Sequence, residues 1–168
     1  MVNPELVFDS VRRGYNVLEQ ASNDEIVAYF DTVDPGAMGG HISNVKGILF
    51  EQMYVEKLTS QGVEASVFEA TNHPGVDVAI FDDGEVVETL QLKATDSVAY
   101  INTTFAENPD TTIVATSEVA SQFGSDMVID SGIEEAALEN AVSGVIEDEL
   151  VNPVSPMSVL GWLIGLPF

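Results

Sequence analysis

Four side chains of this sequence could do chemistry together, and they are Glu51, Asp77, Gln91 and Lys93. Carboxylate and amide oxygens are hard ligands that suit Mg²⁺ or Mn²⁺. A lysine ammonium group can stabilise negative charge that develops on a substrate. In this order and spacing, the residues look like a metal-dependent phosphodiesterase site that is spread over a helix and a β-hairpin. Such a site forms only if the two elements bring the four side chains together.

The hairpin is predicted from two alternating, β-branched runs, 75–81 and 85–93, with Asp82-Asp83-Gly84 between them. An Asp-Gly step between such runs is a strong hairpin signal. The apolar residues of both runs share one face of the sheet only if the loop holds an odd number of residues. We therefore predict a three-residue loop in which Gly84 adopts a positive φ.

The register of the hairpin also decides where the polar residues lie. The apolar residues that should share one face are Val76, Val78, Ile80, Val86, Leu90 and Leu92. The same parity places Asp77, Gln91 and Lys93 together on the other face. Core packing and a polar site therefore require one and the same register. Asp77 could, alternatively, merely end its strand.

Glu51 is predicted to lie on a helix that spans 41–60, because apolar residues recur there at helical spacing. It follows Ile48 by three positions and precedes Val55 by four, so its carboxylate lies on or beside the stripe that faces the sheet. A charge in that position is costly unless it is paired or bound to a metal. Glu51 could therefore be a metal ligand, or it could form a buried salt bridge with Lys93.

These residues resemble the PD-(D/E)xK, or restriction-endonuclease-like, superfamily. The resemblance is closest to its Mrr-type branch, which has Gln in place of the acidic residue before x-Lys, and it covers about residues 41–116. Pro74-Gly75-Val76-Asp77 is similar to the Gly-Val-Asp start of a strand in that family. Gln91-Leu92-Lys93 is similar to its Gln-x-Lys motif, and Glu51 to the acidic residue of its first core helix.

The resemblance implies a nuclease that depends on Mg²⁺ or Mn²⁺, with DNA the more expected substrate than RNA. Asp77 would be the principal metal ligand, and Glu51 would bind the metal directly or through water. The Gln91 side-chain oxygen and the Leu92 backbone carbonyl would be the other metal ligands that the protein provides. Lys93 would orient or help deprotonate the attacking water and stabilise charge in the transition state. Because Gln91 is neutral, metal binding is expected to be weaker than at a Glu-x-Lys site.

The predicted elements agree with this family's α/β fold, an αβββαβ core with a mixed central sheet flanked by helices. Besides the first helix and the hairpin, a strand is predicted at 64–69, a helix at 97–107 and a strand at 111–116. The helix would be the crossover that makes the last strand parallel to its neighbour. A further strand at 127–130 and a helix at 133–150 are expected to pack on the far side of the sheet.

Two helices are predicted before this core, at 4–20 and at 24–32, and the second should be capped by Ser22 or Asn23. The glycine-rich segment 34–40, which begins Asp-Pro-Gly, is predicted to be a flexible joint. The chain thus divides into three parts. They are an N-terminal helical extension and linker at 1–40, a restriction-endonuclease-like domain at 41–150, and an apolar C-terminal tail at 151–168.

The tail is uncharged and too short to span a bilayer. It could pack on the domain or on a second copy of the chain in a homodimer. Alternatively, the native protein continues and these residues begin a membrane segment, with Trp162 near the interface. The absence of cysteine fits an intracellular protein, so the expected location is the cytoplasm, with a membrane tether in the second case.

The charge of the chain speaks against a nuclease, because 28 acidic residues face only 5 basic ones and the formal net charge is −23. Most of the energy of DNA binding comes from basic side chains on phosphates. Three explanations stay open, of which adaptation to high salt, in a salt-loving source, is preferred. Other parts of a larger protein could hold the substrate. Or the chain is a catalytically inactive acidic interaction domain on a nuclease-like fold, which binds a basic partner or mimics DNA.

Other classes of enzyme find no support in the sequence. The glycine-rich loops of P-loop and Rossmann nucleotide sites are missing from it. A Gly-x-Ser-x-Gly elbow is also missing, which argues against a serine hydrolase of that type. With no cysteine, a Cys-ligated zinc site is excluded.

Overall fold

The structure of the protein is a computed structural model, which describes residues 1–68 and 75–147. Pro74 of the predicted motif, the tail at 151–168 and the end of the helix predicted at 133–150 lie outside the described residues. Among the described residues, the helices are α1 Pro4–Gly14, α2 Asn23–Asp31, α3 Pro35–Ser60, α4 Val98–Glu107, α5 Ser117–Ala120 and α6 Glu135–Ile146. The strands are β1 Glu64–Val67, β2 Val78–Asp82, β3 Glu85–Lys93, β4 Thr112–Ala115 and β5 Val128–Asp130.

The first two helices begin at side-chain caps. Asn3 accepts a hydrogen bond from the Glu5 backbone N–H at the start of α1. Ser22 and Glu25 form a capping box at the start of α2, which confirms Ser22 as the cap. The first helix is shorter than predicted, since α1 ends at Gly14 and a short 3₁₀ turn follows at Asn16–Leu18.

The predicted flexible joint at 34–40 is wrong, because this segment forms the first turns of α3. The Asp34 side chain accepts a hydrogen bond of 2.8 Å from the Gly36 N–H and caps the helix. Pro35 occupies the first turn, where its missing N–H has no helical partner to lose. Ile42 is buried in the core and Met38 packs against it, so tertiary contacts offset the low helix propensity of the glycines.

The five strands form one mixed sheet in the order β1-β2-β3-β4-β5. The pairs β1–β2 and β2–β3 are antiparallel, whereas β3–β4 and β4–β5 are parallel. As predicted, α4 is the crossover between the parallel strands β3 and β4. The elements α3-β1-β2-β3-α4-β4 follow the order α-β-β-β-α-β, and the prediction of an α/β fold with a mixed sheet flanked by helices is confirmed.

The β2–β3 hairpin places its residues on the predicted faces, but its turn differs from the predicted one. Its turn has two residues, Asp83 and Gly84, with φ of 48° and 81°, so the predicted three-residue loop is wrong although Gly84 has the expected positive φ. Ile80 pairs with Glu88, but Phe81 pairs with Val86, so one extra residue bulges out of β3. The bulge restores the parity that a two-residue turn would reverse, and Val78 pairs with Leu90.

Each face of the sheet carries its own apolar cluster. The larger cluster joins Val78, Leu90, Leu92 and Val114 of the sheet to buried side chains of α1, α2, α3 and α6. The smaller one joins Ile113, Ala115 and Val128 to α4 and α5. The prediction that the last helix packs on the far side of the sheet is therefore wrong, because α6 shares the face of α3. No helix among the described residues is both long and apolar enough to cross a membrane.

Candidate active site

Asp77 lies immediately before β2 and is tied to both neighbouring strands. Its backbone N–H donates to the Leu90 carbonyl at 2.9 Å, and its carbonyl accepts from the Phe68 N–H at 2.8 Å. Its side chain reaches β3, where Oδ2 accepts a hydrogen bond of 2.7 Å from the Leu92 backbone N–H. This bond fixes the carboxylate against the middle of the Gln91-Leu92-Lys93 segment.

Gln91 is buried on β3, with 8 % of its surface exposed. Its side chain lies over Gly75, where a Cβ would stand 3.8 Å from Nε2. Gly75 also has a φ of +89°, a conformation that favours glycine. Among the described residues, Gln91 Oε1 is a buried oxygen without a hydrogen-bond partner. An unpaired buried acceptor costs about 1–3 kcal/mol, and a coordinated ligand would remove that cost.

Lys93 ends β3 with a half-buried side chain. Its Nζ donates to the Tyr100 hydroxyl at 3.3 Å and lies 5.0 Å from the centre of the Tyr100 ring. Within the described part of the chain, Lys93 joins no salt bridge. Its charge nevertheless lowers the pKa of Asp77, which places the ammonium group near that carboxylate.

Glu51 lies on α3, half-buried, and it is close to Asp77. Burial and then the negative charge of Asp77 raise the pKa of Glu51 to about 7, although Arg13 opposes the shift. Burial also raises the pKa of Asp77, against the opposing effects of the Leu92 hydrogen bond and Lys93. The alternative of a structural Glu51–Lys93 salt bridge is not found among the described residues. The structure instead brings two carboxylates together.

Two further residues, Arg13 and Tyr100, border this group and were not predicted. Arg13 belongs to the last turn of α1, far from Glu51 in sequence, and no local pattern signals their approach. Tyr100 follows Lys93 by seven positions on the next helix. The sequence gives one signal for the approach of Tyr100 to Lys93. Tyr100 lies in the first turn of the predicted helix, and that helix follows the strand that carries Lys93.

A divalent cation at this site would need neutral oxygen ligands as well as carboxylates. Among the described residues, no group of three or more His, Cys, Asp and Glu side chains could hold a metal ion. The predicted ligand set has only two carboxylates, Glu51 and Asp77, beside the Gln91 amide and the Leu92 carbonyl. The unpaired Gln91 Oε1 and the proximity of the two carboxylates fit a hard cation such as Mg²⁺ or Mn²⁺.

Comparison of the chain with protein-family models, with curated proteins and with solved structures found no match.

Proposed function

We propose that this protein is a metal-dependent nuclease with a restriction-endonuclease-like core, which hydrolyses phosphodiester bonds in nucleic acid, DNA being favoured over RNA. The observation that carries the proposal is the pair of carboxylates at Glu51 and Asp77. The pKa of both is raised, that of Glu51 to about 7, mainly by burial and for Glu51 also by their proximity. A pair of carboxylates whose pKa values are raised in this way is typical of a functional site.

The order of the secondary-structure elements supports the same proposal. The segment from α3 to β4 has the α-β-β-β-α-β order that the family resemblance implies. Glu51 lies on α3, Asp77 lies immediately before β2, and Gln91 and Lys93 lie on β3. These are the elements on which the resemblance leads us to expect them.

The side chains divide the work between metal and substrate. When bound, a divalent cation would polarise a phosphate oxygen and lower the pKa of a water molecule. Asp77 and Gln91 would hold the cation through side-chain oxygens, Leu92 through its carbonyl, and Glu51 directly or through water. Lys93 would orient the attacking water and stabilise negative charge on the phosphate, and its contact with Tyr100 would keep the ammonium group in place.

Cleavage of supercoiled plasmid and of single-stranded RNA, with Mg²⁺ or Mn²⁺ at low and at molar salt, tests the proposal. We expect metal-dependent cutting by the wild type, which Asp77→Ala abolishes and Lys93→Ala reduces by about a hundredfold. Asp82→Ala is the matched control, because it removes the same side chain from the exposed tip of the same hairpin. No cutting under any condition, together with no metal binding by calorimetry, would overturn the nuclease proposal.

The use of the basic residues favours a second candidate, an inactive acidic interaction domain on the same fold. Arg12 is engaged by Glu5 and Asp9, as Lys46 is by two acidic residues of α6. Lys57 donates to the Ser131 carbonyl. At least three of the five basic residues therefore serve the fold, so few of them are left to bind a polyanion.

A fluorescent lysine-rich peptide distinguishes the second candidate from the first. An acidic interaction domain binds the peptide at low salt, and Asp77→Ala weakens that binding no more than Asp82→Ala does. A nuclease site instead makes Asp77 essential for metal-dependent cleavage, whereas Asp82 is dispensable.

A further inference from the structure

We propose that Tyr100 stacks on an unpaired base of the nucleic acid, so that the substrate of this site is single-stranded. This inference rests on the proposed nuclease function and names the class of nucleic acid on which it acts. Tyr100 holds the base, and Lys93 acts on the phosphate next to it.

Tyr100 borders the site through its contact with Lys93. The Lys93 Nζ lies 3.3 Å from the Tyr100 hydroxyl oxygen and 5.0 Å from the centre of the ring, so the ammonium group is nearer to the hydroxyl end than to the middle of the ring. Lys93 itself follows Leu92, whose backbone N–H donates to Asp77. A base is joined to its phosphate through a single sugar. A base that stacks on this ring therefore has its phosphate within reach of Lys93.

The ring of Tyr100 is open to a ligand. Tyr100 is 50 % exposed, whereas every other aromatic side chain that the structure describes is buried or half-buried. The apolar clusters of the fold thus take up the other aromatic rings, and Tyr100 presents its ring to solvent beside the one lysine of the site.

The backbone of Tyr100 is held from both sides. Its N–H donates to Ser97 Oγ at 3.2 Å, and its carbonyl accepts a hydrogen bond of 3.1 Å from Thr104 Oγ1. The next residue, Ile101, is fully buried in the cluster between α4 and the sheet. These contacts fix the first turn of α4 before a ligand binds. Stacking on Tyr100 therefore orders little of the protein, which favours binding.

The charge of the protein also favours this way of binding. At least three of its five basic residues contact other groups of the fold, and a net charge of −23 opposes the approach of a polyanion. Stacking on an aromatic ring needs no positive charge, and it persists at high salt, where phosphate contacts weaken. In a duplex, neighbouring bases cover each other's faces. Tyr100 can therefore stack only on a base that is unpaired or flipped out.

The test is the binding of three short fluorescent DNA ligands by wild type, Tyr100→Phe, Tyr100→Leu and Met127→Ala. The ligands are a single strand, its duplex, and an abasic strand of the same length. Binding is measured with Ca²⁺ in place of Mg²⁺ over a range of KCl concentrations, and cleavage with Mg²⁺. We expect the wild type to bind the single strand about tenfold more tightly than the other two ligands, as for one stacked base. Tyr100→Leu should lose this preference, and Tyr100→Phe should keep it because it keeps the ring.

Two controls separate stacking from other effects. Met127 is 52 % exposed and precedes β5, at the end of the parallel strands opposite to Lys93, so Met127→Ala should leave the preference unchanged. The slope of log affinity against log salt should be the same in Tyr100→Leu and in the wild type, because stacking releases no counterions. A smaller slope in Tyr100→Leu would mean that the substitution acts through a lost phosphate contact of Lys93, and it would overturn the stacking role.

Each outcome bears on one of the two proposals. If the wild type cuts DNA but binds the abasic strand or the duplex as tightly as the single strand, Tyr100 does not stack on a base and the nuclease stands. This comparison needs no substitution, so it does not depend on the folding of a variant. Equal affinity of wild type and Tyr100→Leu for the single strand leads to the same conclusion. A wild type that neither cuts nor binds DNA overturns the nuclease and, with it, the role of Tyr100.

Discussion

The Glu51 carboxylate of α3 lies within electrostatic reach of the Asp77 carboxylate, immediately before β2. Both groups are half-buried, so neither is fully screened by water and each disfavours the ionisation of the other. A chain selected only for stability would gain by making one of them neutral. The pair therefore connects the stability of the protein to its pH, to metal ions and to its activity.

Glu51→Gln should stabilise the metal-free protein above neutral pH. The pKa of the Glu51 carboxyl group is raised from its ordinary value of 4.5 to about 7 in the folded protein. Between these two pH values the folded state therefore keeps a proton that the unfolded state has lost. Stability contributed by this group therefore falls as the pH rises through that window. Allowing for solvent screening, the substitution should add about 1–2 kcal/mol at about pH 8 and almost nothing at about pH 4.

Urea denaturation at the two pH values measures this effect. Glu56→Gln is the matched control, since Glu56 lies on the same helix but is exposed. Equal effects of the two substitutions at about pH 8 would show that burial and the charge of Asp77 do not destabilise the ionised form of Glu51.

Mn²⁺ or Mg²⁺ should raise the melting temperature more at about pH 8 than at about pH 5, because a protonated Glu51 carboxyl is a poor ligand. At a metal concentration about a hundredfold above the Kd, the stabilisation is about 2.7 kcal/mol. Thermal denaturation with a metal titration measures it, and KCl of equal ionic strength is the control. Asp77→Asn should remove the effect, and a shift that survives in this variant would place the metal elsewhere.

Gln91→Glu should tighten metal binding about tenfold, because it adds a charged ligand beside Asp77. The same substitution should lower the stability of the metal-free protein, since a third buried carboxylate joins Glu51 and Asp77. Calorimetric titration with Mn²⁺ gives the affinity. Gln91→Leu, of similar size and without an oxygen, should lose binding; unchanged affinity in both variants would exclude Gln91 as a ligand.

Tyr100→Phe should lower kcat about threefold to tenfold with little change in KM, because Lys93 loses the hydroxyl that accepts its hydrogen bond but keeps the ring. Tyr100→Ala removes both contacts and should lower kcat further. The melting temperature should barely change, since Tyr100 is half exposed. If kcat is the same in all three proteins, Tyr100 does not position Lys93.

The stability of the protein should rise with KCl if its acidity is an adaptation to high salt. At a net charge of −23 the folded chain repels itself, and salt screens that repulsion within a Debye length of about 10 Å at 0.1 M. We expect the melting temperature to increase steadily up to about 2 M KCl. Above about 1 M the Debye length is shorter than about 3 Å, so little repulsion is left at the end of this range. A melting temperature that is independent of KCl would contradict this explanation of the acidity.

Local patterns were enough to predict most elements, and they failed where the context of a residue reversed its usual meaning. The proline and glycines at 34–40 resemble a joint, but Asp34 caps the helix and Pro35 lies in its first turn, where proline is favoured. In the hairpin, the alternation of apolar residues fixed the parity of Asp77 and Gln91. It did not reveal that a turn of two residues and a bulge produce that parity.

The sequence by itself determined the order of the elements and the faces of the hairpin, because helical spacing, strand alternation and turn residues act between near neighbours. Only the tertiary structure decided that Glu51 lies beside Asp77 and not against Lys93, and that Arg13 joins them from α1. These approaches depend on how α1 and α3 pack on each other and on the sheet. Packing of that kind is set by the whole core, so no local pattern encodes it.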